Sequence, residues 1–109
     1  MARQGGAGGV TSRREGFQRL EKEILGEKAA ALGRAGEKLE EALAVAAELG
    51  QALDRETDPT RRATLLAEYE GARRRAAHAR MMLLIQREAI GLRHHRTVDQ
   101  KFPEPPRRP

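Results

Sequence analysis

Leu39-Glu40-Glu41-Ala42-Leu43-Ala44-Val45-Ala46-Ala47-Glu48-Leu49-Gly50-Gln51-Ala52-Leu53-Asp54-Arg55-Glu56-Thr57-Asp58-Pro59 decides the fold. Leu39, Ala42, Leu43, Ala46, Leu49 and Leu53 recur at three- and four-residue steps, which is the helical period. Asp58-Pro59 then opens a second helix. Asp is a preferred N-cap, and Pro at the first helical position loses an N–H that would be unpaired anyway. Residues 55–58 leave room only for a tight turn. The chain is therefore expected to be all-α, a long antiparallel helical hairpin with one helix over 12–54 and the other over 59–96.

Upstream, the apolar stripe runs Phe17, Leu20, Ile24, Leu25, Leu32, Ala35 and on into Leu39. Leu25, Leu32, Leu39, Ala46 and Leu53 repeat every seven residues, a coiled-coil-like seam. At 1.5 Å per residue the first helix would be roughly 60 Å long. Ser12-Arg13-Arg14-Glu15 fits a capping box at its start. Residues 1–11 are Gly-rich and are expected to be disordered. Gly16, Gly26, Gly33, Gly36 and Gly50 fall inside the helical pattern, each costing about 1 kcal/mol relative to Ala. Gly33 and Gly36 are read as positions of close helix approach, Gly16 and Gly26 as neutral.

Downstream, the second stripe is Leu65, Leu66, Tyr69, Ala72, Ala76, Ala79, Leu83 and Ile90. Its small middle implies close packing, and Gly91 marks a weakening or bend. Residues 97–109 end in Phe102-Pro103-Glu104-Pro105-Pro106-Arg107-Arg108-Pro109, which favours an extended, polyproline-like tail. Val98 and Phe102 are the residues able to fold back onto the end of the hairpin.

Met81-Met82-Leu83-Leu84-Ile85 is apolar for more than a full turn. A helix facing one neighbour needs only a stripe, so a hairpin alone leaves part of this segment uncovered. A second copy completing a four-helix bundle is the economical cover, since two-fold dimers are the commonest oligomers. Another protein is an alternative cover, because Met suits adaptable surfaces, and the C-terminal Val98/Phe102 stretch is a third. Met81, Met82, Leu84 and Ile85 are thus expected at an interface. Gln86, Arg87 and Glu88, on the adjoining turn, are expected to fix its register.

The 109 residues carry a net charge of +5, unevenly placed. Residues 12–54 sum to −2 and residues 59–96 to +6, so the second helix is the basic one. Arg73, Arg80, Arg87 and His94 are spaced by seven, with Arg74 and Arg75 alongside. Such a ridge can follow phosphates without reading sequence, and Arg73, Arg74, Arg80 and Arg87 are the expected anion or nucleic-acid contacts. The plainer reading is a solvated helix face, with Glu70–Arg74 as a local ion pair.

Catalytic and metal signatures are weak. The chain has no cysteine. No Glu-x-x-His precedes His78, His94 or His95, and His94-His95 points two imidazoles apart, so no metal and no cofactor is expected. Glu37, Glu40 and Glu41 alternate with basic residues on a polar face. A small all-helical enzyme with an Arg/Glu site in a dimeric bundle rests on fold analogy alone. The longest apolar run falls far short of the ~20 residues that span a bilayer. A soluble, cytoplasmic protein is expected.

Leu20-Glu21-x-Glu23-Ile24-Leu25-x-Glu27-Lys28-Ala29-x-Ala31-Leu32-Gly33-Arg34-Ala35-Gly36, leading into Leu39-Glu40, is followed much later by Gln86-Arg87-Glu88-Ala89-x-Gly91-Leu92-Arg93. Together these motifs resemble a family of small uncharacterised bacterial proteins, mostly alphaproteobacterial, classed as a domain of unknown function. The likeness covers roughly residues 17–103. It implies a bacterial helical protein and no mechanism. Family members often carry Cys where Ile90 stands here and Asp where His94 stands, so a thiol-dependent role does not carry over. The expected function is a non-catalytic protein-interaction or structural module, with a basic nucleic-acid-binding protein as the alternative.

Overall fold

The computed structural model describes the backbone of residues 2–109 and the side chains of residues 12–109. It contains α1 (Ala2–Arg55), α2 (Pro59–Ala89) and a short α3 (Arg96–Lys101), with no strand among the described residues. The chain divides into two units, residues 1–31 and residues 32–109.

In the first unit the backbone is helical from Ala2, so Ser12 lies within a helix instead of capping its start. Glycine lowers helix stability without making helical geometry inaccessible, so a Gly-rich composition alone does not place a helix start. Disorder is expected over residues 1–11, whereas the backbone is helical from Ala2; the side chains there lie outside the described residues. Phe17, Leu20, Ile24 and Leu25 are exposed, Leu25 at 62%.

In the second unit α1 and α2 pack against each other as an antiparallel hairpin. The turn is closed locally. Asp58 caps α2 by accepting from the Arg61 N–H at 2.9 Å. Arg62 reaches back to donate to the Leu53 carbonyl at 2.8 Å, satisfying one of the open carbonyls at the end of α1. Two apolar clusters fill the seam. Near the turn, Ala46 and Leu53 meet Tyr69 and Ala72, flanked by Leu49, Leu65 and Leu66. Farther along, Ala35 and Leu39 meet Leu83, with Leu32, Leu43, Ala79 and Leu84 around them. The seven-residue row holds from Leu39 to Leu53, whose members are at most 1% exposed.

Three features differ from the sequence reading. First, α2 ends at Ala89, not at residue 96. Gly91 takes a φ of +88°, a left-handed conformation. The Gly91 N–H donates to the Glu88 carbonyl and the Leu92 N–H to the Arg87 carbonyl. That pair of bonds is a Schellman cap, so Gly91 stops the helix and does not merely bend it. Second, residues 97–109 do not simply trail away. The turn after Gly91 leads into α3, which buries Val98 in the second cluster with Phe102 packed beside it. Third, nothing lies within 4 Å of a Cβ built on Gly33 or Gly36, so neither meets a close approach from within this chain. Gly50 does: its Cβ would sit 3.1 Å from the Arg108 guanidinium and 3.4 Å from the Tyr69 ring.

Candidate interaction surfaces

α2 has three kinds of surface, set by its 100° step per residue. Tyr69, Ala72, Ala76 and Leu83 form its buried stripe. Arg73, Ala77, Arg80, Leu84 and Arg87 follow on one flank, and residues 103–109 run along it as an extended strap. Arg74, His78, Met81, Met82 and Ile85 lie opposite the core.

The strap is held by side chains of both helices. The Tyr69 hydroxyl donates to the Pro106 carbonyl at 2.6 Å. Arg73 Nε donates to the Pro105 carbonyl at 3.1 Å, and its Nη1 is steadied by Glu70 at 3.0 Å. Arg108 pairs with Asp54 of α1, and its guanidinium lies 5.4 Å from the Tyr69 ring centre. The Tyr69 hydroxyl first, and then Asp54, push the Arg108 pKa above its usual value, while burial pulls the other way. Arg108 keeps its charge at any ordinary pH. Upstream of the strap, Arg80 pairs with Asp99. Arg87 donates to the His94 carbonyl at 2.9 Å, and Glu88 meets His95 at 2.9 Å.

These contacts reassign the seven-residue arginine row. Arg73, Arg80 and Arg87 all face the C-terminal segment and bind its carbonyls or its carboxylate. Arg74 stands apart, exposed with Arg75, beside a shallow depression that Lys38, Ala42, Gly71, His78 and Ala79 also line. The expected Glu70–Arg74 pair is replaced by Glu70–Arg73, one residue nearer the strap.

The expected interface residues also divide. Met81, Met82 and Ile85 are 50%, 40% and 49% exposed. Leu84 packs on the second cluster. Gln86 is half-buried, while Arg87 and Glu88 fasten the turn after α2. The C-terminal segment covers one flank of α2 and leaves the outer stripe bare. Among the described residues no helix is long and apolar enough to cross a membrane, and no group of three or more His, Asp or Glu side chains is placed to hold a metal ion.

Sequence reasoning missed Asp54, Gly50 and Arg108 as a set. One signal was available. Phe102, just before the strap, and Pro105 and Arg108 within it are half-buried, and a three-residue repeat is the period of a polyproline II strand. The spacing was legible in the sequence, but not the surface it faces.

No family model, no curated relative and no solved structure matches this chain.

Proposed function

We propose that this chain is a non-catalytic helical interaction module that pairs with a second copy through the outer face of α2. The observation that carries this reading is the exposed stripe of Met81, Met82 and Ile85, directly opposite the hairpin's own core. Three large apolar side chains grouped on one helical face mark a binding surface better than scattered exposed residues do. An antiparallel two-fold pairing centred between Met81 and Met82 is self-complementary, as a closed dimer requires. It sets Met81 of one copy against Met82 of the other, so apolar surface meets apolar surface. The product is two hairpins joined back to back through their α2 helices. Light scattering on a size-exclusion column tests it: the expected mass is twice the 12.1 kDa of one chain.

A second reading is supported by the basic patch of Arg74, Arg75 and Lys38. Here the hairpin binds nucleic acid through phosphates, on the side away from the strap. Retention of duplex DNA at low salt, lost at high salt and lost in Arg74→Ala/Arg75→Ala, supports this reading. No retention at low salt ends it. Membership in the bacterial family suggested by the two motifs, and a cytoplasmic location, belong to the same proposal.

A further inference from the structure

The strap is bound as a ligand would be. Pro105 and Pro106 have no N–H, so their carbonyls are the backbone groups that need partners, and the hairpin supplies a donor to each. Phe102, Pro105 and Arg108 are half-buried at the three-residue period: Phe102 packs on an apolar cluster, the Pro105 carbonyl accepts from Arg73, and Arg108 meets the Asp54 carboxylate. Gly50 leaves the space that the Arg108 guanidinium fills. Aromatic-lined grooves with donors aimed at carbonyls are the general way of reading polyproline II strands. Arg108 Nε is buried with no hydrogen-bond partner among the described residues, so the present occupant is not perfectly matched.

We propose that the groove formed by Leu43, Gly50, Asp54, Tyr69 and Arg73 is a binding site for an extended proline-rich strand bearing an arginine. Residues 103–108 are its resident occupant in cis, and the strand it takes in trans is the same segment of a second copy. A tethered occupant acts at an effective concentration in the millimolar range, so the cis strand masks the site in the intact chain. Weakening the strap without touching the groove unmasks it.

The test uses full-length protein and a fluorescein-labelled peptide of residues 101–109, followed by anisotropy. The wild-type chain is expected to bind the peptide weakly but saturably. The Pro105→Glu/Arg108→Glu chain, its strap repelled and its groove intact, is expected to bind at least tenfold tighter. Adding Tyr69→Phe or Asp54→Ala to that chain removes the gain, and an Arg108→Ala peptide binds it no better than the wild-type chain does. Equal binding by the wild-type and strap variants, or a gain that survives both Tyr69→Phe and Asp54→Ala, overturns the proposal. If the strap variant does not fold, absence of saturable binding to the wild-type chain overturns it alone. Repeating the measurement in Met82→Glu/Ile85→Glu separates this groove from self-association through the outer face of α2.

Discussion

The two sides of α2 carry similar amounts of apolar and basic chemistry and have opposite fates. On the strap side, Tyr69 is 1% exposed and Arg73, Arg80 and Arg87 are committed to groups of the same chain. On the outer side, Met81, Met82 and Ile85 remain 40–50% exposed, and Arg74 and Arg75 make no ion pair among the described residues. The difference teaches that a regular row of arginines is not in itself a phosphate track. The same spacing here docks the C-terminal segment, with Arg73 on the Pro105 carbonyl, Arg80 on Asp99 and Arg87 on the His94 carbonyl. What is left over on the other side is the better place to look for a partner.

The sharpest way to break this comparison is to truncate one apolar residue on each side. Tyr69→Ala removes a fully buried ring and is expected to cost about 3–5 kcal/mol. Ile85→Ala is expected to stay within about 0.5 kcal/mol, as exposed substitutions do, when measured below the concentration at which copies associate. Urea unfolding midpoints of the two variants check this, and equal losses would mean that the outer stripe is already covered within one chain.

The stop of α2 provides the next effect. Gly91→Ala places a Cβ in a left-handed conformation, at a cost of roughly 1–2 kcal/mol. Hydrogen exchange at Gly91 and Leu92 should accelerate, because those amides make the cap. An unchanged midpoint and unchanged protection would show that the cap does not position the strap.

Gly33→Ala and Gly36→Ala are expected to stabilise by about 0.5–1 kcal/mol each, since Ala is the better helix former and the added methyl meets nothing. A loss of stability in either variant would show that a second chain packs there, and would move the proposed pairing surface onto α1. A small effect is also expected of Arg80→Ala. Its pair with Asp99 is partly solvent-exposed, so screening limits the loss to under about 1 kcal/mol, and 1 M salt should erase most of the difference. A larger, salt-independent loss would show that the strap side depends on this pair far more than on Tyr69.

Much of the hairpin was legible because its signals are local. Leu39, Ala46 and Leu53 repeat at the helical period, and Asp58-Pro59 is a start signal that the Arg61 N–H completes. The end of α2 was harder. The helical pattern of apolar residues runs on through Ile90, and a single glycine only becomes a stop when its φ turns positive. The strap was half legible. Its extended form follows from proline content, and Val98 and Phe102 were recognisable as able to fold back. Its seat depends on contacts between residues far apart in sequence, such as Asp54 with Arg108 and Tyr69 with Pro106. No periodicity within one segment encodes those. The outer stripe was visible as Met81–Ile85, but only the packing separated Leu83 and Leu84, which face inward, from Met81, Met82 and Ile85, which do not.

The central claim is that the outer face of α2 joins two copies. Light scattering on the wild-type chain and on Met82→Glu/Ile85→Glu, at matched concentrations and with thermal unfolding recorded for both, tests it most directly. The account predicts a dimer for the wild type and a monomer for the variant, with the variant keeping its helical content. A monomeric wild type at every concentration, or a variant that remains dimeric, would contradict it.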